Sequence, residues 1–375
     1  MLTFRQLDDL PAAVVEIMAE AEQSVINDMA RRIANMEMIT DATHWQIQRL
    51  EMIGTLQRTI IKELSHALNI TERRLWEIFD EASTRTLASD NKAFVYHGYN
   101  PIPLSANSWL QQIIAVGLNK TLGEFKNLTR TTANTATRQF EKALDLAHMQ
   151  IVTGGMDYQR AIKNAIYGLA GNGLESIRYP SGHVDYLDVA TRRATLTGAN
   201  QTAAEIQLAN MQQIGTDLVE TTAHPGARPT HAKWQGQIFS ISGTHPVYPS
   251  FRETTGYGTG PGLCGWNCRH SFFPFFEGLS DEAYPHDKRR EYNTATVDYN
   301  GEKINLYDAT QQQRYLERKI REWKRRLSAS EAAGLDTAKE KQKVRQWQAV
   351  QRDFINQTGL RRDYFRERAG KQLVN

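Results

Sequence analysis

The stretch from Gly256 to Gly278, GYGTGPGLCGWNCRHSFFPFFEG, constrains the fold more than any other part of the chain. Six of the 25 glycines fall in it, together with Pro261 and Pro274. Such glycine density calls for tight turns or for backbone packed against backbone. Phe272, Phe273, Phe275 and Phe276 follow, and four exposed rings in one patch would make an adhesive surface. The expectation is a compact, loop-rich knot that buries these rings and Trp266.

The same stretch holds both cysteines, Cys264 and Cys268, with His270 two residues beyond. Two cysteines in 375 residues make no disulfide framework, which fits folding in a reducing cytoplasm. An upstream loop, His224 to Gly236 (HPGARPTHAKWQG), adds two histidines. Cys264, Cys268 and His270, with His231 or His224, would offer four donors suited to tetrahedral zinc. The C-x3-C spacing departs from the commoner C-x2-C. The competing reading is two thiols buried as small hydrophobes, with His270 hydrogen-bonded inside the knot. No general base is placed beside the thiols, so a cysteine nucleophile is disfavoured.

Elsewhere the pattern is helical. Val14, Ile17, Ala21, Val25, Met29, Ile33 and Met36 form one apolar stripe after a start at Asp8–Pro11. Asp41 is expected to open a second helix through Leu64, and Thr71 to cap a third through Ala82. The turn-rich YHGYNPIP, Tyr96 to Pro103, separates these from further helices up to Ile151, weakly patterned between Leu128 and Thr137. A long helix is expected from Asp185 to Gln213, ended by Gly215, and a strand from Asp217 to Ala223. Asn300-Gly301 marks a hairpin, and Asp308 or Thr310 the start of a basic helix. No apolar run approaches the ~20 residues of a membrane span.

The class is therefore mainly α (α+β). Four segments are expected: an N-terminal helical region (1–95), a central helical region (96–215), a small α+β domain with the Cys/His knot (216–300), and a basic helical tail (301–375). That tail's charge is concealed by the net +3: Glu302 to Asn375 carries 18 Lys+Arg against 10 Asp+Glu, the rest 27 against 32. Within it, Arg318, Lys319, Arg321, Lys324, Arg325 and Arg326 are expected to face outward, toward DNA or an acidic protein surface.

The segments TRRATLTGANQTAAEIQLANMQQIG, DLVETTAHPGARPTHAKWQGQIFSISG and GYGTGPGLCGWNCRHSFFPFFEG resemble the phage minor capsid protein 2 family. They are also distantly similar to the head-morphogenesis domain of phage Mu protein F. The motif residues are Arg228, Pro229, His231 and Gly236, then Gly265, Trp266, Asn267 and Arg269; His270 stands where the Mu-type pattern has a second cysteine. Arg228 and Arg269 are expected to lock the loops. The resemblance implies a non-enzymatic minor head protein of a tailed phage, assembled in the host cytoplasm into the virion. Its implied partners are the portal and major capsid proteins and packaged double-stranded DNA, with a role in head assembly, packaging or ejection. No cofactor is implied, zinc being the one candidate. The rival is a metal-dependent nuclease, for which Asn267, His270 and His231 offer superficial ligands but no acidic partner.

Overall fold

The computed structural model describes residues 1–36 and 41–370. Residues 37–40 of the expected N-terminal region and 371–375 of the expected tail lie outside them. Five helices come first: α1 (Phe4–Asp9), α2 (Ala12–Ala34), α3 (Ala42–Tyr96), α4 (Ser108–Val152) and α5 (Tyr158–Asn172). The hairpin β1 (Glu175–Arg178) and β2 (Val184–Tyr186) leads into α6 (Leu187–Ile214). There follow β3 (Leu218–Thr221), α7 (Pro229–Ala232), β4 (Ile238–Ser240), α8 (Phe251–Thr255), β5 (Phe272–Pro274) and α9 (His286–Asn293). The hairpin β6 (Thr296–Tyr299) and β7 (Glu302–Asn305) precedes the last long helices, α10 (Leu306–Ala332) and α11 (Ala338–Thr358). The chain is mainly α, with three small antiparallel sheets among the described residues. Among the described residues no helix is long and apolar enough to cross a membrane.

Two expected helices are one. Thr71 does not cap a break; it is buried in the middle of α3, a single helix of 55 residues. No glycine or proline stands near it, so nothing in the backbone ends the helix there. The Thr-rich stretch 128–137 is also continuous helix, its hydroxyls turned onto the preceding turn: Thr131 and Thr135 donate to the carbonyls of Asn127 and Thr131 at 2.9 and 3.0 Å. Asp41 does cap α3, accepting from the His44 N–H at 2.8 Å. α10 begins earlier than expected, with the Tyr307 N–H donating to Asn305 Oδ1 rather than to Asp308 or Thr310. At the hairpin, Asn300 and Gly301 have φ of +52° and +82°, both in the left-handed region that suits a two-residue turn.

Contacts group the chain into two compact units, each drawn from three separate stretches. Unit 2 comprises Ala13–Thr71, Phe125–Thr191 and Gln312–Asn375. It buries Val25, Met29, Leu56, Ile60, Leu64, Phe140, Leu144, Ile166, Ile320 and Phe354. Arg49 of α3 forks onto Glu141 and Asp145 of α4, and Trp45 stacks on His148 with ring centroids 3.7 Å apart. Tyr315 and Trp347 meet edge to face, joining α10 and α11 as an antiparallel pair.

Unit 1 comprises Met1–Ala12, Glu72–Glu124 and Arg192–Gln311. Its sheet has the order β4-β3-β5, with Val219 opposite Phe239 on one side and Pro274 on the other. Phe94, Met211, Val219, Trp234, Phe239, Phe251, Leu263, Cys264, Cys268, Phe272 and Phe276 form its core.

Candidate functional site

The Gly-rich loop and the His224–Gly236 loop converge beneath this sheet. Pro229 opens α7, whose N-cap is Arg228, and this one turn of helix brings His231 inward. In the facing loop, Cys264 and Asn267 both adopt left-handed φ, +56° and +53°. Gly265 sits so close to its neighbours that a β-carbon there would lie 2.2 Å from the Gly260 carbonyl oxygen. At Gly236, with φ +67°, a β-carbon would strike Tyr284. The knot is therefore backbone against backbone, as glycine allows.

Side chains pin it from three directions. Arg228 Nη2 donates to the Trp266 carbonyl at 2.8 Å, and Arg269 Nε donates to Asp8 Oδ1 at 2.6 Å. Asn200 on α6 donates through Nδ2 to the carbonyls of Cys268 and His270, at 3.3 and 3.1 Å. Arg228 thus ties the two loops together, and Arg269 ties the knot to α1. Trp266 is not buried; it is 58% exposed, its indole lying flat over Gly260, where a β-carbon would come within 2.5 Å of the ring. Of the four phenylalanines, Phe272, Phe275 and Phe276 are buried and Phe273 is half-buried on the other face of β5.

His231, Cys268 and His270 come together, all 1–2% exposed. The two Nδ1 atoms are 3.3 Å apart, and Cys268 Sγ is 3.7 Å from each. Cys264 does not join them. Its Sγ turns instead to the His270 carbonyl, 3.7 Å away. His224 lies beside the group, its ring stacked on His270 at 4.4 Å and its Nδ1 3.0 Å from the Pro225 carbonyl. Burial pushes both thiols up. It holds His231 and His224 down near 4 and His270 well below the usual range, the last also because other imidazoles and two arginines crowd it. The three rings are therefore neutral at physiological pH. No Asp or Glu belongs to the group among the described residues.

Gln235, unremarked by sequence reasoning, organises the cluster. Its Oε1 accepts from the His224 N–H at 3.1 Å and faces His270 Nε2 at 3.0 Å, while its Nε2 donates to Asn293 Oδ1. Asn293 Nδ2 in turn donates to the Ala232 carbonyl. Only its position one turn after His231 marks Gln235 in the sequence, and many glutamines share such a position.

The basic residues of α10 are placed differently from expectation. Arg325 is buried and donates to the carbonyls of Ala170 and Gly171 at 3.2 and 2.9 Å. Arg321 pairs with Asp188 at 2.9 Å and donates to the Arg366 carbonyl. Lys319 and Arg326 pair with Glu322, Arg326 also covering Trp323, and Lys324 is half-buried. Of the six, Arg318 alone is exposed. The carbonyl ends of α5 and the buried acids draw these cations inward.

Comparison with known proteins gives a consistent picture. The chain is 26% identical over 342 residues to a structural protein of Lactococcus phage LL-H, covering 87% of this chain and 89% of that one. It is 33% identical over 127 residues to a structural protein of Lactococcus phage mv4, covering 33% of this chain and 94% of that one. No solved structure matches. The family model for phage minor capsid protein 2 matches residues 2–356, taking in both units, the glycine knot and the last long helices. The chain belongs to the phage minor capsid protein 2 family.

Proposed function

We propose that this minor capsid protein serves a tailed-phage head as a non-enzymatic component. In this reading it stands with the portal and major capsid proteins, and acts in head assembly or in packaging or ejection of DNA. It assembles in the host cytoplasm and remains in the virion. The observation that carries the reading is the family match from residue 2 to 356, which includes the helices as well as the knot. Exposed apolar side chains support a protein partner: within unit 2, Ile47 and Leu50 of α3 and Met149 and Val152 of α4 face solvent. The nuclease alternative draws no support from the Cys/His group, which is buried and lacks a carboxylate.

Deleting the gene from the phage genome tests the proposal. Lysates should then contain aberrant or uninfectious particles, and complementation in trans should restore infectivity. Purified wild-type virions should contain the chain by mass spectrometry, cross-linked to the portal protein. Its absence from purified virions would overturn the reading.

A further inference from the structure

His231, Cys268 and His270 present three donor atoms to one point, and the outer atoms of both imidazoles are already committed. His231 Nε2 lies 2.9 Å from the Pro261 carbonyl, which can only accept, so the proton sits on Nε2. His270 Nε2 faces Gln235 Oε1, and the amide orientation of Gln235 is set by the His224 backbone N–H that the same oxygen accepts. Two neutral imidazoles with Nε2–H direct two Nδ1 lone pairs at each other across 3.3 Å. The one S–H of Cys268 can satisfy one of them, not both.

Zinc bound at about 2.05 Å from nitrogen and 2.3 Å from sulfur, with tetrahedral angles, sets N–N edges of about 3.3 Å and N–S edges of about 3.6 Å. The observed edges are 3.3, 3.7 and 3.7 Å. We propose that His231 Nδ1, His270 Nδ1 and Cys268 Sγ form a zinc site that clips α7 to the glycine knot. As the metal–sulfur bond forms, Cys268 releases its proton to solvent, and the thiolate offsets part of the cation's charge. The positive charge of Arg269 nearby is met by Asp8. Pro261 and Gln235 play the part that outer partners play for metal-bound histidines, holding each ring in its tautomer. Three protein donors leave a fourth position open, and Cys264, turned to the His270 carbonyl, is not required.

The full-length protein, purified without chelator, should carry one zinc per chain by elemental mass spectrometry. Protein stripped by chelator and reloaded with Co2+ should show the visible bands of a tetrahedral ion and a thiolate-to-cobalt charge-transfer band. Cys268→Ser and His231→Ala should lose zinc and both bands, whereas Cys264→Ser should keep them. Should the first two variants fail to fold, the wild type decides: stripping should lower its melting temperature and added zinc should restore it. A folded wild type that takes up neither metal would overturn the site. So would bound metal that survives Cys268→Ser, or that is lost from a folded Cys264→Ser.

Discussion

Gly117 on α4 and Thr202 on α6 meet so closely that a β-carbon on the glycine would lie 2.0 Å from the threonine hydroxyl oxygen. The relationship is reciprocal, since a β-carbon at Gly198 of α6 would lie 2.2 Å from the hydroxyl of Thr121 on α4. Two glycine–threonine pairs, four residues apart on each helix, let the helices cross in near contact within unit 1. Neither threonine can swing away, because β-branching restricts its rotamer and both side chains are buried.

Gly117→Ala and Gly198→Ala should therefore each destabilise the protein by about 1–3 kcal/mol, the overpacking cost exceeding the gain in helix propensity. Gly54 of α3 and Gly123 of α4 have open space around them, so the same change there should stabilise by up to about 1 kcal/mol. Chemical denaturation of the four variants checks the contrast; equal effects at all four positions would refute the close crossing.

Arg325→Gln should cost about 3 kcal/mol or more, because it strips a buried cation from the carbonyl end of α5 and from the neighbourhood of buried Glu22. Arg318→Gln, at an exposed position of the same helix, should change stability by less than about 0.5 kcal/mol. Denaturation midpoints separate a helix whose charges hold the fold from one whose charges face a polyanion.

Stability should also depend on pH through two buried acids of unit 2. Burial raises Glu22 and Glu317 to about 7, against 4.5 for the unperturbed group, despite Arg325 near the first and Arg366 near the second. Folded, each holds its proton to near neutrality; unfolded, each releases it near 4.5. Their contribution to stability is thus full below pH 4.5 and is lost as pH rises through 7, by up to about 3 kcal/mol each. Between pH 5 and 8 the wild type should lose stability relative to Glu317→Gln. Parallel curves for the two proteins would show that Glu317 does not titrate in this range.

Much of this architecture was readable from residue pattern. Asn300-Gly301 specified its hairpin because only residues tolerant of left-handed backbone fit there, and Asp41 declared its helix start. The glycine knot was visible as a knot, and the loops of His231 and Cys268 as partners. What pattern could not supply was direction. Cys264 and Cys268 are alike in a string of letters, yet a left-handed turn at Cys264 sends its sulfur to a carbonyl rather than to the imidazoles. Trp266 reads as core by composition, but Gly260 beneath it lets the indole lie on the surface. Arg325 reads as solvated by charge, and only the placement of the α5 carbonyls makes it internal.

Because each unit is assembled from three separated stretches, the order of synthesis imposes an order of completion. Unit 1 has all its residues once Gln311 has left the ribosome, whereas unit 2 lacks its last stretch until α10 and α11 emerge. Glu22 is made 303 residues before Arg325, so the acid leaves the ribosome long before its cation. A chain cut short just after Gln311 would complete the knot-bearing unit and leave the other open, its apolar helix faces bare to chaperones and proteases.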